Sequence, residues 1–392
     1  MSREVLRKHL FVNNQFFENA LRDYYQDTTI YLKTFEVRRV SKREESYWAD
    51  QMIIVANYTS SNNVTKSQNF VLKIGFYNPY MEESVEKYDP FKREIFFFQN
   101  ILPSMNKMFQ SLHSYPVTCN AMCIVNKRPQ PKYILLEELS SDKYLRVQRR
   151  SGLDQKHLKL TMEKLAKFHA CSAVMYQQNS DLFEHHQQPN VSEYFKIFHP
   201  LFTACLHKLI EEVSNEKWHN SETLIEQLMY FENNFIDKVS EAFMLEDNEL
   251  GVLCHGDLWM DNLLFQYDEK NNPIDIKMVD FGLSYFGSPG IDLTYLLFTS
   301  SAADIADYEI DVLLQHYHTT LHKTLIKLNF PRQIPSLIQI HNHFMKRGII
   351  GVLYTILLLP MRFSQNDYFK DQEMKDRLIF LLDYFGRKGF LN

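Results

Sequence analysis

The sequence predicts an α+β protein with two lobes, a small sheet-rich lobe at the N-terminus and a larger helical lobe after it. With 392 residues, the chain is longer than a single hydrophobic core usually supports. Runs of β-branched and apolar residues typical of strands dominate the first part of the chain, and helical periodicity dominates the rest. We therefore assign residues 1–139 to the N-terminal lobe and residues 140–392 to the helical lobe.

The N-terminal lobe is predicted to contain an N-terminal helix, a β-sheet and one further helix. Residues 51–58 and 69–77 are strand-like and are separated by a polar segment, which predicts a hairpin with a long loop. A helical stretch follows from residue 90 to residue 100, and Pro103 is expected to end it. Another strand at residues 132–136 completes the lobe.

The second lobe begins where the apolar spacing becomes helical. Asp154 is a plausible N-cap for a helix with one apolar face, and a second helix starts at Ser221. Two strand-like runs, at residues 251–254 and 274–279, interrupt the helices, and we expect them to form one short hairpin. The chain from about residue 291 is again helical in pattern.

Composition and charge exclude several classes of function. The net charge is −5 and no Lys/Arg run forms a basic stripe, so nucleic acid is not an expected partner. No stretch has the length of a membrane span, and the N-terminus lacks the apolar core of a signal peptide. The 5 cysteines are scattered, which is typical of a reducing compartment. We expect a soluble, cytoplasmic monomer that does not bind membranes.

The strongest chemical signal is the segment HGDLWMDN at residues 255–262, followed by Asp280-Phe281-Gly282. Phosphoryl transfer needs a carboxylate that accepts the proton of the acceptor hydroxyl and oxygen ligands that hold Mg²⁺. Asp257 stands where the catalytic base belongs, while Asn262 and Asp280 are candidate metal ligands. Each motif alone also occurs in ordinary turns, but both together, each at the end of a strand, favour a kinase.

A kinase also needs residues that bind the rest of the nucleotide. Lys73 interrupts an apolar strand and Glu94 lies in the following helical stretch, a spacing that predicts a phosphate-binding lysine paired with a glutamate. The alternative is an exposed lysine and a solvated glutamate. Glu137 and Leu139 follow the next strand, where backbone groups would contact adenine.

Two features point away from protein kinases. The position two residues after Asp257 is Trp259, where protein kinases usually have lysine. The segment SPGID at residues 288–292 follows Asp280 closely and no Ala-Pro-Glu tripeptide occurs, so little room remains for a peptide platform. A small acceptor molecule fits better.

The chain resembles the ecdysteroid kinase-like (CHK kinase-like) proteins of insects, relatives of choline kinases and aminoglycoside phosphotransferases. The resemblance spans most of the chain. Its segments, in order, are Tyr47, FVLKI with Lys73, the helix with Phe91, Glu94 and Leu102-Pro103, LEEL at 136–139, LAKFHA at 165–170, LCHGDLWMDNLLF, KMVDFG and SPGIDL.

This resemblance implies a protein-kinase-like fold, the cofactors ATP and Mg²⁺, Asp257 as catalytic base, and Asn262 and Asp280 as metal ligands. Known members phosphorylate ecdysteroid hormones, and others are suspected of phosphorylating ingested toxins in detoxification. The acceptor is thus expected to be an ecdysteroid or a xenobiotic. Gly282 is a departure, because the family often has Gln after Asp-Phe, but the aspartate is retained.

A second departure lies in the expected phosphate-covering turn, SKREESYW at residues 41–48, which has no glycine. Glycine allows the backbone to approach phosphates closely. The loop motivates an alternative function, a pseudokinase that binds a ligand without turnover. Retention of Lys73, Asp257, Asn262 and Asp280 opposes this alternative.

Two further motif residues have a structural interpretation, and the acceptor site is predicted only as a region of the chain. We interpret His169 as a buried structural residue and Asp292 as a helix cap or a brace for the catalytic loop. The acceptor site is expected in the helical lobe, around residues 194–209 and 341–360. A choline or ethanolamine kinase is a narrower alternative, but the 30 Phe and 22 Tyr are too many to identify a cage for an ammonium group.

Overall fold

The computed structural model describes residues 12–39, 49–60, 64–75, 89–125, 132–148, 150, 152–188, 191–216, 218, 220–302, 306–363 and 371–391. The chain forms two compact units. The first comprises residues 1–103 and 118–145, and the second comprises residues 104–117 and 146–392. The first contains an antiparallel sheet and the second is mostly helical, so the predicted α+β class is confirmed.

The first unit is built on a five-stranded antiparallel sheet in the order β1-β2-β3-β5-β4. Its elements are α1 (Asn14–Tyr25), β1 (Tyr31–Arg39), β2 (Ala49–Thr59), β3 (Thr65–Gly75), α2 (Pro90–Phe96), β4 (Ala121–Val125) and β5 (Tyr133–Glu137). The predicted hairpin is β2–β3, which pairs from Ala49↔Gly75 to Thr59↔Thr65. Its strands are longer, and the loop that joins them is shorter, than we predicted from the polar segment.

The core of this unit follows the two-residue period of its strands. Met52, Ile54 and Ala56 on β2 are buried together with Leu72 and Ile74 on β3. Apolar side chains of α1, among them Phe17 and Leu21, belong to the same core cluster. Because side chains alternate between the two faces of a strand, the residues between these buried ones lie on the opposite face of the sheet. Lys73 is one of them.

The predicted end of a helix at Pro103 is wrong. After α2, the chain makes one π-helical segment, Phe97–Ile101, and continues as α3 (Leu102–Ser111). The N–H of Leu102 bonds to the carbonyl of Phe97, five residues back. Pro103 therefore lies in the first turn of a new helix, where its fixed φ is suitable and a missing N–H is tolerated.

The second unit contains eight further helices in its described part. They are α4 (Gln155–Gln178), α5 (Val191–Asn215), α6 (Ser221–Phe243), α7 (Pro289–Ser300), α8 (Asp307–Lys327), α9 (Leu337–Lys346), α10 (Gly348–Phe363) and α11 (Gln372–Lys388). The predicted cap of α4 is confirmed, because Asp154 accepts the backbone N–H groups of Lys156 and His157. The predicted start at Ser221 is also confirmed. None of the described helices is both long enough and apolar enough to cross a bilayer.

The single hairpin predicted in the second unit is wrong. The described residues form two separate two-stranded sheets, from β6 (Val252–Cys254), β7 (Leu263–Tyr267), β8 (Pro273–Met278) and β9 (Tyr285–Gly287). β6 pairs with β9, and β7 pairs with β8. Strands of three to five residues carry too little periodicity to reveal their partners, so two of the four were missed.

Residues 104–117 belong to the second unit because their last residues are bonded to β8 and α4. The Val117 carbonyl accepts the N–H of Met278 at 2.9 Å. Lys277 donates to the Pro116 carbonyl at 2.8 Å, and Lys164 donates to the Tyr115 carbonyl at 3.0 Å. These bonds fix the end of β8, the strand that leads to Asp280.

Candidate active site

In the first unit, Lys73 and Glu94 form a buried ion pair. The Lys73 Nζ atom lies 2.6 Å from Glu94 Oε1, and the two side chains are only 8% and 3% exposed. A charge this well buried is costly unless an opposite charge accompanies it. The pairing expected from their spacing is thus present in the structure.

Gly75 explains how α2 reaches this position. A Cβ atom added to Gly75 would lie 2.9 Å from the Phe91 ring. Gly75 and Lys73 share one face of β3, and Phe91 and Glu94 share one face of α2. The missing side chain at Gly75 therefore lets α2 approach until Glu94 meets Lys73.

Glu137, at the end of β5, is engaged within the first unit. Its carboxylate accepts the Tyr24 hydroxyl at 2.8 Å and both the backbone N–H and the side-chain amide of Asn120, at 3.2 Å and 3.1 Å. Burial, reinforced by the Glu137 charge, raises the pKa of Tyr24, so the phenol stays protonated and donates. The backbone N–H groups of Glu137 and Glu138 bond to the carbonyls of Asn120 and Asn69, and Leu139 opens a 3₁₀ turn, Leu139–Asp142.

In the second unit, the HGDLWMDN segment is a tight loop between β6 and β7. Gly256 has φ +79°, and a Cβ atom there would lie 2.1 Å from the carbonyl oxygen of Leu283. Only glycine accepts both this dihedral angle and this approach. The loop closes with a 3₁₀ turn, Met260–Asn262, immediately before β7.

Asp257 is held by donors on both carboxylate oxygens. The Tyr295 hydroxyl donates to Oδ1 at 2.5 Å, and the Asn262 side-chain amide donates to Oδ2 at 2.9 Å. Burial, with the nearby negative charge of Asp280, raises the pKa of Asp257 to about 6, although both donors act in the opposite direction. A carboxylate with such a pKa is ionised at neutral pH and still basic enough to share a proton.

Asn262 and Asp280 are placed beside each other by backbone bonds. The N–H of Val279 donates to the Asn262 carbonyl at 3.0 Å, and His255 Nε2 donates to the Val279 carbonyl at 3.0 Å. Because the Asn262 NH₂ group faces Asp257, its amide oxygen faces away from that carboxylate. Asp280 has φ +69°, a left-handed conformation that is uncommon outside glycine but that aspartate adopts more readily than most residues.

Asp292, which we interpreted as a helix cap or a brace, braces the loop. Its Oδ2 atom accepts the His255 N–H at 2.7 Å, and its Oδ1 atom accepts the Gly256 N–H at 3.1 Å. His169 also donates to Oδ2, at 3.1 Å, and is itself bonded to the Tyr317 hydroxyl at 2.8 Å. His169 is fully buried, so its interpretation as a structural residue is confirmed.

Sequence reasoning missed several residues in contact with the loop, among them Tyr295 and Ser300. Both lie on α7, and Ser300 Oγ accepts the N–H of Met260 at 2.9 Å. In the run DLTYLLFTS they resemble ordinary residues of a buried helix. The spacing offered one signal, since Tyr295 follows Asp292 by three residues and so lies on the same side of the helix.

The oxygen donors of this site fit Mg²⁺. Among the described residues, no group of three or more His, Cys, Asp and Glu side chains is arranged to hold a metal ion. Mg²⁺ is usually bound by only one or two protein oxygens, with water and substrate phosphates completing its coordination. The Asp280 carboxylate and the Asn262 amide oxygen are a donor set of this kind.

Three further sequence predictions concern residues outside the loop that contains Asp257. The glycine-free turn at residues 41–48 lies outside the described residues. The acceptor segments at residues 194–209 and 341–360 lie in α5 and in α9 and α10. Of these, α10 contacts Tyr295, the residue bonded to Asp257: the Tyr354 ring is tilted on the Tyr295 ring, with 4.0 Å between centroids.

A family model described as the ecdysteroid kinase-like family matches residues 43–330. Among proteins with curated functions, none matches this sequence significantly.

Three kinases are among the solved structures that match this chain. A choline kinase from Cryptosporidium parvum Iowa II has 11% identity and a TM-score of 0.45, with 91% of each chain covered. The choline kinase LicA from Streptococcus pneumoniae has 12% identity and a TM-score of 0.36, with 90% of this chain and 94% of that one covered. An amicoumacin kinase in complex with AMP-PNP, Ca²⁺ and Ami has 13% identity and a TM-score of 0.41, with 98% and 96% covered.

Proposed function

The chain belongs to the ecdysteroid kinase-like family, and from this premise we propose that it is an ATP- and Mg²⁺-dependent kinase that phosphorylates a hydroxyl group of a small molecule. Membership indicates a small-molecule phosphotransferase. The observation that carries the proposal is the arrangement around Asp257, whose carboxylate accepts hydrogen bonds from Tyr295 and Asn262 and lies within the electrostatic influence of Asp280.

In this proposal, Asp257 is the catalytic base. Its carboxylate would accept the proton of the acceptor hydroxyl as that oxygen bonds to the γ-phosphorus of ATP. The bond from this phosphorus to the bridging oxygen breaks at the same time, and ADP leaves. Each carboxylate oxygen has two lone pairs, so the donors already present leave room for a hydroxyl. Asn262 and Asp280 would hold Mg²⁺ through oxygen. When bound, Mg²⁺–ATP supplies the phosphoryl group and the positive charge that offsets its oxygens.

Lys73 is proposed to bind the phosphates, and Glu94 to keep it in place. An ammonium group with three N–H donors can bond to a carboxylate and to phosphate oxygens at the same time. Adenine would contact backbone groups of Glu137 and Leu139. The Glu137 carboxylate has an internal role, because it is bonded to Tyr24 and Asn120.

We propose an ecdysteroid or a hydroxylated xenobiotic as the acceptor. The family supports this choice, and so does the character of α10 near Tyr295. Tyr354, Leu357 and Leu358 share one face of this helix and are each partly exposed. This face starts at Tyr354, whose ring contacts Tyr295, the residue bonded to Asp257. Such an apolar surface suits a largely apolar molecule with a hydroxyl group.

The experiment has two parts. Thermal unfolding is followed with ATP, with and without Mg²⁺, because a ligand that binds only the folded state raises its apparent stability. Transfer from radiolabelled ATP is then measured to ecdysone and to a panel of hydroxylated plant toxins. A Mg²⁺-dependent stabilisation with labelled product is expected. No stabilisation at millimolar ATP contradicts the kinase function, and stabilisation without any labelled product contradicts the proposed acceptors.

A further inference from the structure

Tyr295 is the residue that the sequence motifs leave without a role. Its hydroxyl donates to Asp257 Oδ1 at 2.5 Å, yet Tyr295 lies 38 residues further along the chain. The residue is only 2% exposed. A hydrogen bond to an ionised carboxylate is stronger than one between two neutral groups.

The helix that carries Tyr295 is rigidly placed. Every residue of α7 is buried. At its start, a Cβ atom on Gly290 would lie 2.3 Å from the His343 carbonyl oxygen, so α7 lies directly against the backbone of α9. Asp292 and Ser300, on the same helix, bond to the loop on either side of Asp257. The Tyr295 hydroxyl is therefore a fixed point against which the Asp257 carboxylate is oriented.

Asp257 needs such a fixed point. A carboxylate can rotate about its side-chain torsions, and the Asn262 bond alone restrains only Oδ2. A second donor on Oδ1 defines the plane of the carboxylate and the direction of its remaining lone pairs. Misplacement of a reacting group by about 1 Å can cost on the order of 100-fold in rate.

We propose that Tyr295 is a positioning residue for phosphoryl transfer, which orients the Asp257 carboxylate toward the acceptor hydroxyl. This proposal rests on the proposed function, in which Asp257 is the base. An opposite role would have the phenol occupy the place of an acceptor hydroxyl and compete with it. The two roles differ in the sign of their effects, because removal of a competitor would raise turnover or lower the KM for the acceptor.

The test compares Tyr295→Phe with Tyr267→Phe in the full chain. Tyr267 is a matched control, since it is the last residue of β7, at the opposite end of the strand from the loop, and its hydroxyl is bonded to His157 Nε2 at 2.9 Å. Both substitutions are also made in the Asp257→Asn background. For each variant we would measure kcat and KM with ecdysone, KM for ATP, and the melting temperature with and without Mg²⁺–ATP.

The expected result is a fall in kcat of roughly 10- to 100-fold in Tyr295→Phe, with the KM for ATP and the stabilisation by Mg²⁺–ATP unchanged. Tyr267→Phe should retain wild-type kcat. In the Asp257→Asn background, Tyr295→Phe should cause no further loss, because residues that act as a unit are not additive. A wild-type or raised kcat in Tyr295→Phe, or a full additional loss in the double variant, overturns the proposal.

Failure of the proposed function would look different. In that case the wild type transfers no phosphate to ecdysone or to any of the hydroxylated plant toxins, or Asp257→Asn is as active as the wild type. The melting temperatures then decide the role of Tyr295. Because asparagine keeps an oxygen that accepts the Tyr295 hydroxyl, this comparison uses Asp257→Ala, which removes the acceptor. If Tyr295→Phe lowers the melting temperature less in the Asp257→Ala background than in the wild type, the two side chains are coupled and the orienting contact stands. Equal shifts in both backgrounds overturn it.

Discussion

Asp292 and Gly256 are 36 residues apart in the sequence, yet Asp292 Oδ1 accepts the backbone N–H of Gly256 at 3.1 Å. The other oxygen of the same carboxylate accepts the N–H of His255. Two adjacent N–H groups of the catalytic loop thus point at one fully buried anion, and His169 bonds to that anion from α4. Because both N–H groups are bonded to Asp292, the backbone immediately before Asp257 is held in place. The direction of the Asp257 side chain is therefore restricted.

Gly256→Ala is expected to disrupt this loop. The left-handed φ costs about 1–3 kcal/mol for a residue with a side chain, and the added Cβ would also meet the Leu283 carbonyl at 2.1 Å. We expect a lower free energy of unfolding in urea and loss of transferase activity. Gly386→Ala is the control, because its Cβ would meet only the Gln227 side chain at 3.5 Å. As a helical site it should gain roughly 0.5–1 kcal/mol. Equal stability of the two variants would contradict the strained geometry at Gly256.

Asp257→Asn should lower kcat by roughly 100- to 10,000-fold, because the base is lost while the shape of the side chain is kept. Stabilisation by Mg²⁺–ATP should survive, since neither Asn262 nor Asp280 is changed. Steady-state kinetics and thermal shift on the same preparation measure both. Near-normal turnover in this variant would assign proton transfer to another group.

Asp280→Ala should abolish the Mg²⁺-dependent part of the stabilisation by ATP, because an anionic metal ligand is removed. Glu269→Ala is the control, since it removes one carboxylate from the exposed turn between β7 and β8. The control should retain the full response to Mg²⁺. If removal of Mg²⁺ leaves the ATP response of the wild type unchanged, the metal role of Asp280 is wrong.

Lys73→Met should destabilise the first unit by about 3–5 kcal/mol, because it leaves the Glu94 carboxylate buried without its partner. The double variant Lys73→Met with Glu94→Leu should recover much of this loss, as both charges are gone, but should not recover ATP binding. Urea unfolding measures the loss and recovery of stability, and thermal shift with ATP measures ATP binding.

The matched control for the buried pair is an exposed one. Arg38 and Glu36 lie 3.2 Å apart with side chains 61% and 65% exposed. Loss of such a pair changes stability by about 0–1 kcal/mol, so Arg38→Met should have little effect. A double variant at positions 73 and 94 that is less stable than Lys73→Met would show that the unpaired Glu94 carboxylate is not what destabilises Lys73→Met.

The predictable parts of the fold were those with strong local signals. The hairpin of β2 and β3 follows from two apolar runs around a polar segment, and the start of α4 follows from a capping aspartate. The errors arose where local signals were weak or ambiguous. Pro103 can end one helix or lie in the first turn of the next, and the π-helical segment that decides between them has no sequence signature. The strands β6 and β9 are only three residues long, too short for a period to reveal their pairing.

The sequence by itself determined which chemistry is possible. Lys73, Asp257, Asn262 and Asp280 could be selected because phosphoryl transfer demands particular residue types at particular local spacings. Only the tertiary structure decided how that chemistry is oriented. The bonds from Tyr295 and Asp292 to the catalytic loop, and the close approach of Phe91 to Gly75, join residues that are distant in the chain. Which buried side chains meet depends on the packing of whole helices and strands, and no local pattern specifies that packing.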